Sequence, residues 1–149
     1  MQQVQKSEPS VMASANGAAL RVMVADDSDA VRRSLAELLN ARPSDWFLCG
    51  ESRDGFETLR KAGELRPDVI LLDLSIPLLS GIEAAKALKR ENCPSSLVLM
   101  SAQEPEVLRR IAAGVHVPFS ISKTMLADGL APILETIGAL KRGSRLPLQ

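Results

Sequence analysis

The chain has 149 residues, 18 basic and 18 acidic side chains and a formal charge of zero, with 46% apolar and 24% charged residues. That length holds one domain of ordinary size, and a neutral chain lacks the broad positive field that grips a nucleic-acid backbone or an acidic membrane. Four aromatics, two cysteines 44 positions apart and one histidine exclude a stacking platform for single strands, a CxxC redox pair and a four-ligand zinc site.

Residues 1 to 19 are rich in Gln, Ser, Asn, Ala and Gly without helical or strand period, and read as a disordered N-terminal tail. From residue 20, short apolar runs alternate with amphipathic stretches, the pattern of strands and helices wound into a parallel sheet. The strands are expected at Arg21 to Ala25, Trp46 to Gly50, Val69 to Leu72, Leu97 to Met100 and about Val117 to Ile121, each buried on both faces. Val31, Leu35, Leu38 and Leu39 mark the first helix by their spacing. Phe56, Leu59 and Leu65 mark the second, and Ile82, Ala85 and Leu88 the third. Leu130, Ile133, Leu134, Ile137 and Leu140 mark the last, with Pro132 expected in its first turn because an interior proline costs about 3 kcal/mol. Residues 20–142 thus form the domain and 143–149 a short C-terminal tail.

In such a sheet, ligands gather beyond the carboxyl ends of the strands. Asp26 and Asp27 follow the first strand, Asp73 the third, Ser101 the fourth and Lys123 the fifth. Three converging carboxylates repel one another unless a cation intervenes, and hard oxygen ligands suit Mg²⁺. Three carboxylates, one Mg²⁺ and one lysine sum to zero charge, so the site can take a phosphoryl group whose charge the metal and ammonium share. Taken singly, each residue has a plainer role. An aspartate after a strand caps a helix, Ser101 caps the next one and Lys123 is solvated; the ordered set argues otherwise. Cys49, Cys93 and His116 receive no function. The basic pairs Arg32-Arg33, Lys89-Arg90, Arg109-Arg110 and Lys141-Arg142 read as solvated helix faces.

Asp26-Asp27, the strand ending in Asp73, Ser101 in Leu-Met-Ser-Ala and Ser122-Lys123 resemble the signature positions of bacterial two-component response-regulator receiver domains, over residues 20 to about 141. Arg21-Val-Met-Val-Ala-Asp-Asp-Ser and Leu65-Arg-Pro-Asp-Val-Ile-Leu-Leu-Asp-Leu are most similar to receivers of the LuxR/NarL type. The resemblance implies a flavodoxin-like α/β fold with strand order 2-1-3-4-5 and phosphorylation of Asp73 by a histidine kinase. It further implies Mg²⁺ held by Asp26, Asp27, Asp73 and the backbone carbonyl of Ser75, with Lys123 and Ser101 contacting the phosphoryl oxygens. The implied partners are a sensor histidine kinase or phosphotransfer protein and a downstream protein in the cytoplasm, with room for a phosphorylation-dependent homodimer and none for nucleic acid or membrane. A phosphoryl-accepting switch rather than a metabolic enzyme follows. With seven residues after the last helix, a stand-alone receiver is expected; the alternatives are the receiver half of a LuxR/NarL-type transcriptional regulator and a magnesium-dependent phosphatase, whose Asp-x-Asp is missing after the first strand.

Two positions depart from the family pattern. Ser120 occupies the place of the usual aromatic switch residue, and Phe119, sharing strand parity with Val117, Ile121 and Lys123, is expected inside the sandwich. Ala113-Gly114 comes early, implying a short fourth helix and a longer approach to the fifth strand.

Overall fold

A computed structural model describes residues 18–145. The elements alternate: β1 Leu20–Ala25, α1 Asp29–Asn40, β2 Trp46–Ser52, α2 Gly55–Leu65, β3 Val69–Asp73, α3 Gly81–Arg90, β4 Ser96–Ser101, α4 Pro105–Gly114, β5 Phe119–Ser122, a 3-10 turn Lys123–Met125 and α5 Leu126–Arg145. All strand pairs are parallel, and the order β2-β1-β3-β4-β5 is the one expected.

Alternation along the inner strands sorts the core into two layers. Val22, Val24, Val69, Leu71, Val98 and Met100 meet Leu35 and Leu39 of α1 and Leu130, Leu134 and Ile137 of α5. Met23, Ala25, Ile70, Leu72, Leu97 and Leu99 meet Ala62, Ala84, Ala85, Leu88, Leu108 and Ala112 of the three other helices. Three helices start where a short polar side chain accepts an otherwise unpaired backbone N–H: Ser28 from Val31, Asp54 from Glu57 and Ser80 from Glu83. All three caps lie at the carboxyl edge of the sheet, so the residues that start helices also border the candidate site.

Burial on both faces holds for β1, β3 and β4 but not for the two edge strands. In β2 only Trp46 and Ser52 are buried, and its register with β1 shifts between Val22 and Met23, opposite Cys49. Phe56 is 59% exposed, because Gly55, Thr58 and Ala62 form the inner face of α2. Pro132 is not in a first turn: α5 begins at Leu126, so the proline falls in the helix interior. The burial of Leu126, Leu130, Leu134 and Ile137 against the sheet outweighs one lost backbone hydrogen bond, as tertiary packing overrides propensity. The helix also continues to Arg145, past the expected boundary at residue 142; residues 1–17 of the expected N-terminal tail and 146–149 of the C-terminal one lie outside the described residues. No helix among the described residues is long and apolar enough to cross a membrane.

Candidate functional site at the carboxyl edge of the sheet

Asp26 follows β1 and is fully buried; Asp73 ends β3 and is 2% exposed; Asp27 is exposed. One carboxylate oxygen from each lies within 4.8 Å of the others. The loop geometry is built locally. Asp26 N–H donates to the Ser52 carbonyl, and Asp26 Oδ1 accepts from Ser28 N–H at 2.9 Å, which turns the chain into α1. Gly81 lets α3 approach the end of β3, since a Cβ there would stand 2.1 Å from the Asp73 carbonyl oxygen.

Lys123, the first residue after β5, carries its ammonium back over the sheet edge, 2.7 Å from Asp26 Oδ2 and 3.2 Å from Asp73 Oδ1. Among the described residues neither oxygen has a hydrogen-bond partner of good angle, so both are buried acceptors that face this ammonium as an ion pair. Burial pushes the Asp73 carboxyl above the usual carboxylate range and the charge of Asp26 adds to the push, against Lys123 and the Ser75 backbone N–H. Burial alone would lower the Lys123 pKa, but the two carboxylates outweigh it and the ammonium is held more tightly than usual. Buried, underused carboxylate oxygens beside an exposed third carboxylate fit a hard divalent cation such as Mg²⁺.

Ser101 ends β4, one residue past Met100, the partner of Asp73, and is buried; its Oγ accepts from the Gln103 N–H at 3.1 Å. Ser75 is exposed in the loop after Asp73. The structure therefore brings Asp26, Asp27, Asp73 and Lys123 together and sets Ser101 and Ser75 on adjoining chain ends. Cys49 and Cys93 are free thiols away from this edge, and burial raises the Cys49 pKa.

Phe119 is half-buried, packed with Ile121 on the α1 and α5 side, whereas Val117 belongs to the opposite layer. The shared parity expected for these residues breaks because Val117 and Pro118 precede the strand, and His116 turns through a left-handed backbone at φ 58°. Lys123 likewise lies in the 3-10 turn rather than on the strand. α4 spans ten residues, Pro105–Gly114, and four residues link it to β5.

Arg32 overturns one expectation. Instead of lying on a solvated face it is 6% exposed, its guanidinium donating to Asp29, to Glu51 Oε1 at 2.8 Å and to the Asp26 carbonyl at 2.6 Å. Its spacing carried the signal: Arg32, Leu35 and Leu39 fall at i, i+3 and i+7, on the buried stripe of α1. Its neighbour Arg33 is exposed as expected.

A family model described as the response regulator receiver domain matches residues 22–135. The chain is 36% identical over 126 residues to the transcriptional regulatory protein LiaR of Bacillus subtilis, covering 83% of this chain and 57% of LiaR. It is 38% identical over 87 residues to a protein-glutamate methylesterase/protein-glutamine glutaminase of Thermotoga maritima, covering 58% and 25%. The chain thus spans little more than half of the former and a quarter of the latter. Among solved structures, the response regulator domain of Thermotoga maritima CheB matches with a TM-score of 0.73 at 28% identity, covering 81% of this chain and 97% of that one. The signal receiver domain of the putative response regulator NarL from Mycobacterium tuberculosis matches with a TM-score of 0.68 at 26% identity, covering 78% and 97%. With its five-stranded order, its acidic edge and a family match over most of its length, the chain belongs to the response regulator receiver domain family of two-component signalling.

Proposed function

We propose that this receiver domain is a phosphorylation switch whose acceptor is Asp73. The observation that carries the reading is the buried Asp73 carboxylate at the end of a central strand, 3.2 Å from the Lys123 ammonium and within 4.8 Å of Asp26 and Asp27. An Asp73 oxygen attacks the phosphorus of a phosphohistidine on a kinase or phosphotransfer protein. The P–N bond breaks, its electron pair stays on the imidazole, which takes a proton from water, and an acyl phosphate remains. Asp26, Asp27, Asp73 and the Ser75 carbonyl would hold Mg²⁺, which when bound offsets the phosphoryl charge. Lys123 turns from the carboxylate to the phosphoryl oxygens, and the Ser101 hydroxyl donates to another, drawing its loop inward.

The domain then acts in the cytoplasm through a downstream protein partner, as a switch and not a metabolic enzyme. Phosphorylation-dependent pairing with a second copy is a further output open to it. A second reading, the receiver of a longer transcriptional regulator, is favoured by the 36% identity to LiaR across 83% of this chain. Incubation with acetyl phosphate and Mg²⁺, followed by intact mass, tests the main reading: one phosphoryl group should add to the native chain and none to Asp73→Asn. An unchanged adduct in that variant, or none on the native chain, refutes it.

A further inference from the structure

Asp27 is the exposed member of the acidic trio, and its side chain makes no hydrogen bond or ion pair among the described residues. Whatever aims it must act through its backbone. The peptide unit joining Asp26 to Asp27 is planar, so fixing its carbonyl fixes the direction in which the Asp27 Cα leaves. That carbonyl receives the Arg32 Nη1 donor at 2.6 Å, and the guanidinium is itself held by Glu51 on β2 and Asp29 in the first turn of α1. Arg53 stands 3.6 Å from the same Asp29 oxygen. The planar fork reaches the three acceptors through three separate nitrogens, Nε, Nη1 and Nη2, a spread that the single nitrogen of an ammonium does not reproduce.

We infer that Arg32 is a positioning residue for the divalent cation site, setting the Asp27 carboxylate through the Asp26–Asp27 peptide. This rests on the reading of the acidic cluster as a Mg²⁺ site. Charge and position act in opposite directions here, which makes the inference separable from a general electrostatic effect. Removing a cation from the neighbourhood should by charge alone tighten Mg²⁺ binding, whereas losing the positioning bond should weaken it.

The test is a calorimetric titration of the full chain with Mg²⁺, comparing the native protein with Arg32→Lys, Arg32→Met and Arg33→Met, with urea unfolding recorded for each. Outer partners of metal ligands typically contribute about tenfold or more in affinity. We expect the Kd for Mg²⁺ to rise about tenfold in both Arg32 variants, and to stay level or fall in Arg33→Met, which removes the same charge from the exposed neighbouring position. Arg32→Lys keeps the charge and gives the reading should Arg32→Met fail to fold. If the Arg32 variants lose stability but bind Mg²⁺ as tightly as the native chain, Arg32 is structural only and the inference fails while the metal site stands. No Mg²⁺ binding by the native chain would instead overturn the site itself, and this inference with it.

Discussion

Replacing Lys123 with methionine removes the ammonium that lies between Asp26 and Asp73 and leaves their facing oxygens without a counter-charge among the described residues. At separations of 2.7 and 3.2 Å each contact is an attraction of about 5 to 6 kcal/mol at an effective dielectric constant near 20, before desolvation is subtracted. Breaking a buried pair from one side costs about 3 to 5 kcal/mol in practice, and the partly exposed ammonium argues for the lower end, about 3 kcal/mol. With a urea slope of about 1.5 kcal/mol per molar, the unfolding midpoint at pH 7 should fall by about 2 M. The sign of the pH dependence follows from the shifts. The raised Lys123 pKa means that its stabilisation is fully present below the ordinary lysine value and lost as pH rises through the folded one, so at pH 7 all of it is at stake. The Asp73 pKa is already raised and Lys123 opposes that rise, so in the variant the carboxyl takes up a proton more readily. The deficit should therefore shrink as pH falls towards 5. It should shrink as well in millimolar Mg²⁺, which replaces the lost charge and binds the variant more tightly than the native chain. A midpoint loss that is the same at both pH values and indifferent to Mg²⁺ would refute this account of the pocket.

Asp73→Asn should stabilise the apo chain by about 1 kcal/mol at pH 7, a gain of the size common when a functional site is relieved of strain. The raised Asp73 pKa makes native stability fall as pH rises from the ordinary carboxylate value through the folded one, so in paired urea curves the advantage should vanish in acid. Gly81→Ala should cost about 1 to 3 kcal/mol in urea unfolding and slow acetyl phosphate labelling, because its Cβ would stand 2.1 Å from the Asp73 carbonyl oxygen and 2.7 Å from Leu74 Cα. Pro132→Ala should raise the melting temperature, since the exposed proline withholds a backbone donor inside α5; an unchanged or lower value would mean the helix is not continuous through residue 132.

The inner strands and the acidic edge were legible in the sequence because both follow short-range rules. A strand buried on both faces needs apolar residues throughout, as in Val69–Asp73, and residues just past such strands must meet at one edge. The features that escaped depend on distant partners. Pro132 is tolerated because Leu126, Leu130, Leu134 and Ile137 of α5 are buried on the sheet, and Phe56 is exposed because Gly55, Thr58 and Ala62 are the buried residues of α2, with Leu59 and Leu65 half-buried beside them. Arg32 is buried because Glu51, 19 residues away on another strand, and the Asp26 carbonyl wait for its guanidinium. Strand parity also failed at Val117, where Pro118 and the left-handed His116 place the residue ahead of β5.

The chemical identity of the phosphorylated residue tests the central claim most directly. An acyl phosphate is reduced by borohydride to the alcohol, so labelling the native chain with acetyl phosphate and Mg²⁺, reducing it and mapping the peptides should yield homoserine at position 73 and nowhere else. Homoserine at 26 or 27, or a reduction-resistant phosphate on Ser101 or any other hydroxyl, would contradict the assignment of Asp73 as the acceptor.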